Sequence, residues 1–223
     1  MTKGRLIIIE AGDGSGKETQ TKLLFERLEK EGKKVAKVTF PDYDSDSSAL
    51  IKMYLGGSFG ERAADVNAYA ASTFFAVDRY ASYQLKWRKL YESGTIIMAD
   101  RYTTSNMVHQ AVKIKDLAER ERFLTWLWDF EFKKMGLPIP DRVIFLDMAP
   151  EVADKLIALR AENNNQQKDI HEQDKEYLRR CHTAYGEIAE KYGWKRIVCS
   201  ENGEPRSREV IAAEVYSAVK DLL

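Results

Sequence analysis

The sequence predicts an α/β fold: a five-stranded parallel sheet with helices on both faces, of the P-loop NTPase type. Apolar runs alternate with helical patterns along the chain, as they do where crossover helices join parallel strands. The first such run, Ile7-Ile8-Ile9, leads through Glu10 into Ala11-Gly12-Asp13-Gly14-Ser15-Gly16-Lys17 and then into a helical pattern. Strand, glycine-rich turn, helix is the context a phosphate-binding loop requires. Polar segments after three of the predicted strands fall at the carboxyl ends, where open α/β sheets gather their ligands.

In chain order, strand one is expected over residues 5–10 and the helix after the loop over 17–31. Leu23, Leu24 and Leu28 lie on the inner face of that helix, and Gly32 stops it. Strand two spans about 35–40 and breaks at Pro41-Asp42-Tyr43; a short helix, 49–55, ends at Gly56-Gly57. Asp65 reads as the N-cap of a long aromatic helix reaching Ser93, and Gly94 ends it. Strand three, 95–99, is a continuous apolar run that delivers Asp100-Arg101-Tyr102. Helices are expected over 105–113 and 116–132, strand four over 142–147, and a helix opened by Pro150. A polar run from Arg160 to Asp169 interrupts the pattern. A helix over 173–192, strand five over 195–199 and a C-terminal helix over 208–223 complete it.

The 223 residues are 44% hydrophobic, which suits a single α/β domain spanning 1–223. With 35 basic and 35 acidic residues there is no global field to draw nucleic acid or an anionic membrane. The two cysteines, Cys181 and Cys199, offer neither a disulfide framework nor metal-ligand spacing, so a reducing, cytoplasmic setting is expected. The apolar run Leu6 to Ile9 is too short for a signal peptide or membrane span.

The loop residues Gly12, Asp13, Gly14, Ser15, Gly16, Lys17, Glu18 and Thr19 are the candidate triphosphate site. Glycines let backbone N–H groups converge on phosphate oxygens, the helix N-terminus adds partial positive charge, and Lys17 adds a full one. The pattern G-x-x-x-x-G-K-[ST] is met imperfectly: Ala11 stands at its first glycine and Glu18 at its hydroxyl. Thr19 cannot take over, because one residue along a helix turns the side chain by about 100°. Glu18 either ligates magnesium or turns away from the phosphates, and charge repulsion favours turning away. Arg101, at the end of strand three, is placed to grip an acceptor phosphate bidentately, and Asp100 to hold a magnesium-bound water.

Residues 9–17, the segment Phe74-Phe75-Ala76-Val77-Asp78-Arg79, Asp100-Arg101-Tyr102 and Pro140-Asp141-Arg142-Val143-Ile144-Phe145-Leu146-Asp147 resemble thymidylate kinases in order and spacing over nearly the whole chain. The resemblance implies ATP and dTMP as substrates, magnesium as cofactor, a homodimer, and a nucleoside monophosphate kinase domain with a lid at about 160–172. It implies that Phe75 stacks on thymine and that Arg79, four residues on and so on the same helical face, donates to a base carbonyl. Asn106 would read the base edge and His109 would lie near the sugar. Asp13 would accept from the sugar 3′-hydroxyl, Tyr43 would touch the acceptor phosphate, and Glu172 would lie near sugar and magnesium. In some relatives the catalytic arginine sits in the loop, where this chain has Gly14; here Arg160 of the lid would supply that cation. The rivals are another nucleotide or deoxynucleoside kinase on this fold, a P-loop switch or assembly ATPase, and a nucleotide-binding member with reduced activity.

Overall fold

The computed structural model describes residues 3–161, 170–171 and 174–223; the side chains of Arg160 and Ala161 fall outside that description. Five parallel strands form one sheet in the order β2-β3-β1-β4-β5. They are β1 (Leu6–Ala11), β2 (Val35–Thr39), β3 (Ile96–Asp100), β4 (Arg142–Asp147) and β5 (Lys195–Val198). Every residue of β1 and β3 is buried, which is why both read as unbroken apolar runs.

Helices cover both faces. Leu24 and Leu28 of α1 (Lys17–Lys30) and Ile211 and Val215 of α9 (Arg208–Ser217) pack with Ile7, Ile9 and Ile144 on one side. On the other, Met107 and Val108 of α5 (Thr103–His109), Phe123 and Leu127 of α6 (Leu117–Trp128) and Tyr185 of α8 (Lys175–Lys191) pack around Phe145. Register aligns the strand ends: Asp100 lies opposite Ile9 on one side and Thr39 on the other. The loop after β1, the turn after β2 and Arg101 after β3 therefore leave the sheet from one edge.

Three expectations are corrected. The long helix is capped by Asn67, whose Oδ1 accepts from the Ala70 amide at 2.8 Å, and not by Asp65. Asp65 ends a short 3₁₀ turn and accepts from the Arg62 backbone and side chain instead. The helix is also divided: α3 (Ala68–Ser82) passes into a π-helical turn, Tyr83–Trp87, and then α4 (Arg88–Glu92). A second π-helical segment, Asp129–Lys134, extends α6. The helix expected over 105–113 starts earlier, and after His109 tightens into a 3₁₀ turn over Ala111–Lys113. Between β5 and α9 a small hairpin, β6 (Ser200–Glu201) with β7 (Glu204–Pro205), turns on Asn202 and Gly203 at φ 52 and 78°. Asn-Gly is a hairpin signal that the strand pattern overlooked. The remaining helices are α2 (Ala49–Leu55), the segment expected, and α7 (Pro150–Ala161), opened by Pro150 as expected.

Candidate active site

The loop after β1 is shaped from its own residues. Ser15 Oγ donates to the Gly12 carbonyl at 2.7 Å, closing the turn. Gly16 caps α1 with no side-chain hydrogen bond, so the first amides of the helix are left for a ligand. Gly14 has φ +74°, and a Cβ there would meet the Ala153 carbonyl oxygen of α7 at 2.7 Å. No side chain fits at that position without moving α7, so an arginine cannot stand in the loop here.

Lys17 is mostly buried, and its ammonium pairs with Asp100 Oδ1. Burial pulls its pKa below the ordinary lysine value; neighbouring Arg101 pushes the same way and Asp100 opposes. The loop residues 12–18, with Lys37, Thr39 and Asp100, line one cavity. Glu18 is exposed at its rim on the first turn of α1. Thr19 lines a different hollow, with Gln20, Leu156, Arg206 and Arg208. The 100° rotation expected between neighbouring helical residues is thus realised in the split between Glu18 and Thr19.

A second cavity, about 300 Å³, opens beside the loop. It brings together Asp13, Lys17, Tyr43, Phe75, Arg79, Asp100, Arg101, Asn106 and His109, side chains from five separate segments. Arg101 enters from the end of β3 with φ 66°, a left-handed conformation that is strained for a side chain with a Cβ. Its Nη2 donates to Asp13 Oδ1 at 3.0 Å and its Nη1 approaches His109 Nε2 at 3.4 Å. Burial works against its charge, but Tyr185, Asp13 and Glu10 hold its pKa above the ordinary arginine value. His109 is held far below the usual imidazole range by burial and by Arg101, so it is neutral and its Nε2 can accept. It stacks at 5.9 Å on His171, which burial pushes down to about 3.

One wall of this cavity is aromatic and hydrogen-bonding. Phe75 meets Tyr54 edge-on at 6.3 Å, and Asn106 Nδ2 reaches the Ser72 carbonyl at 3.5 Å. Arg79 is fully buried against Glu131. The turn carrying Tyr43 is tied to α3 by Asp78, which accepts from the Asp42 amide at 2.8 Å and from Ser47 Oγ at 2.6 Å. Tyr43 itself is half exposed at the mouth.

Some of the expected site lies elsewhere. Arg160 is in the last turn of α7, with its side chain outside the description; Glu172 and most of the expected lid, 162–169 and 172–173, lie outside the described residues. Residues not anticipated also line this second cavity. Gln110 is buried with Oε1 unpartnered among the described residues, and its place directly after His109 was the available signal. His171 and Ser105 line it too. Glu131 and Asp78 act at one remove, and Glu131 is 52 positions from the arginine it holds.

The chain matches the family model described as Thymidylate kinase over residues 9–210. It is 32% identical over 191 residues to a thymidylate kinase of Mycobacterium tuberculosis, covering 85% of this chain and 87% of that one. A zebrafish (Danio rerio) thymidylate kinase is 26% identical over 222 residues, covering 99% of this chain and 90% of its own. Among solved structures, a thymidylate kinase from Candida albicans superposes with a TM-score of 0.72 at 20% identity, covering 98% of this chain and 92% of that one. That likeness carries the fold: a five-stranded parallel sheet with helices around it.

Proposed function

The chain belongs to the thymidylate kinase family, and from that premise we propose that it transfers the γ-phosphoryl group of ATP to dTMP, giving dTDP and ADP. The observation that carries this reading is the meeting of two cavities at Asp13, Lys17, Thr39 and Asp100, which line both. Phosphoryl transfer asks the protein for alignment, charge neutralisation and exclusion of water more than for covalent chemistry. In-line transfer needs donor and acceptor on either side of such a junction.

On this reading the loop amides and Lys17 hold the β- and γ-phosphates of ATP, and the hollow lined by Thr19, Gln20 and Arg206 receives the adenine end. Arg101 grips the acceptor phosphate, oriented by Asp13 and His109. Asp13 accepts from the sugar 3′-hydroxyl, and Tyr43 closes over the phosphate. Phe75 stacks on the base while Arg79, Asn106 and the unpartnered Gln110 oxygen read its edge. Arg160 brings its charge from the end of α7 to the transferred group.

No group of three or more His, Cys, Asp or Glu gathers among the described residues. The donor set fits an ion carried mainly by phosphate oxygens and water, as magnesium is. Asp100 in the loop cavity would hold it through water; Glu172, the other expected ligand, lies outside the described residues. The ion would neutralise charge between the β- and γ-phosphates.

A homodimer and a cytoplasmic location belong to the same proposal. Val77 and Tyr80 on α3 and Leu85 just after it are exposed, which supports a contact there. Among the described residues no helix is long and apolar enough to cross a membrane.

Separate titration of the two nucleotides tests the division of roles. Lys17→Ala should lower turnover with weakened ATP binding, and Arg101→Ala should do so with weakened dTMP binding. Normal dTMP affinity in Arg101→Ala would remove Arg101 from the acceptor site.

A further inference from the structure

We propose that Glu131 is a positioning residue for base recognition: it holds the Arg79 guanidinium so that Nη1 is presented to the acceptor cavity. The inference rests on the reading of dTMP as acceptor.

Arg79 Nε donates to Glu131 Oε2 at 2.7 Å and Nη2 donates to Oε1 at 2.5 Å. This is a fork-on-fork pair, which fixes the plane of the guanidinium as well as its position. Thr103 Oγ1, on the first turn of α5, donates to Oε2 at 2.6 Å. The carboxylate is therefore anchored from a second element, and both its oxygens are used. Nη1 stands outside the fork, and among the described residues its hydrogen-bond contact is at the limit, 3.5 Å to the Tyr102 carbonyl. Arg79 lines the cavity that also holds Phe75 and Asn106.

The pair is completely enclosed: the side chains are 2% and 0% exposed. Burying two charges costs desolvation, and well-packed apolar residues often serve stability as well or better. Its use is then geometric. The carboxylate cancels the net charge of Arg79, leaving a polarised N–H that suits a neutral carbonyl rather than an anion. Glu131 sits in the π-helical segment Asp129–Lys134. Such segments shift the facing of side chains within a helix, here bringing this carboxylate under Arg79.

A purely structural tie between α3 and α6 predicts different behaviour from a positioning role. The experiment compares wild type, Glu131→Asp and Thr103→Val with dTMP. It adds two analogues, 2-thio-dTMP and 4-thio-dTMP, each with one base carbonyl oxygen replaced by sulfur, a poor hydrogen-bond acceptor, and with the N3–H kept. Glu131→Asp keeps the charge but withdraws it by a methylene. Thr103→Val releases the carboxylate with little change of volume, and carries the test should Glu131→Asp not fold. Wild type should prefer dTMP over one of the two analogues. The variants should raise KM for dTMP, by about tenfold in Glu131→Asp, with far smaller changes in kcat and in KM for ATP. They should lose most of the preference over that analogue alone. An unchanged KM for dTMP, or an equal loss for dTMP and both analogues, overturns the positioning role. A wild-type enzyme that does not phosphorylate dTMP overturns the underlying reading instead.

Discussion

Gly14→Ala is the smallest perturbation that separates the loop of this chain from those that carry a side chain at the same place. Two costs add. At φ +74° a Cβ is disfavoured by about 1–2 kcal/mol. The new methyl would also stand 2.7 Å from the Ala153 carbonyl oxygen and 2.9 Å from Ile157 Cγ1. The first of these is backbone of α7, so relief requires displacing the helix, and overpacking of that kind costs about 1–3 kcal/mol. Together they destabilise by about 2–5 kcal/mol, which lowers the melting temperature by about 4–20 °C for a chain of this size. Because α7 carries Arg160 at its end, the displacement should also lower kcat and raise KM for ATP more than KM for dTMP. Thermal melts and initial rates at saturating and limiting ATP measure both. Gly14→Arg shares the Cβ and should fail to gain activity from its added charge. An unchanged melting temperature in Gly14→Ala, or a faster enzyme in Gly14→Arg, would refute the close contact between loop and helix.

Two further outcomes are expected. Glu18→Ala should keep most activity with nearly unchanged magnesium dependence, since the carboxylate is exposed at the rim of the loop cavity and favours the first turn of α1; a large rise in the magnesium needed for half-maximal rate would make it a metal ligand. Stability should rise with pH through two windows, read from urea midpoints across pH 4–9. Burial holds folded His171 at about 3 while an unfolded imidazole titrates near 6.5, so its contribution, present above about 6.5, is lost as pH falls towards about 3. Burial holds folded Lys113 at about 7, so its contribution, full only above about 10.5, is lost as pH falls towards about 7. Lys113→Met should flatten the upper window, and a wild-type midpoint that falls from pH 7 to 9 would contradict the account.

The sheet was legible because its central strands β1 and β3 are buried on both faces and glycine or proline punctuates the strand boundaries, and register then forced the three polar segments to one edge. Phe75, Arg79 and Arg101 do line one cavity; Arg101 is singled out by its place after a strand, whereas Phe75 and Arg79 are singled out by the resemblance to thymidylate kinases, their spacing adding only that they share a helical face. Tertiary partners were not legible. Glu131 meets Arg79 only after α6 has packed against α3, and the charge pattern of 129–134 looks like a solvated helix end. The π-helical turns leave no local mark because they are set by packing of Tyr83, Trp87 and Phe132 against the sheet. Asp65 and Asn67 are both good caps, and a three-residue 3₁₀ turn decided between them. The left-handed backbone at Arg101 has no sequence signal, since arginine is not a residue that favours it.

The central claim is that the two cavities serve ATP and a thymine nucleotide. Coupled release of ADP, measured against a panel of nucleoside monophosphates with ATP and magnesium held constant, tests it most directly. The account predicts that dTMP turns over with the highest kcat/KM, and that Arg79→Ala narrows its lead over the others. Faster turnover of AMP or dGMP than of dTMP would contradict it.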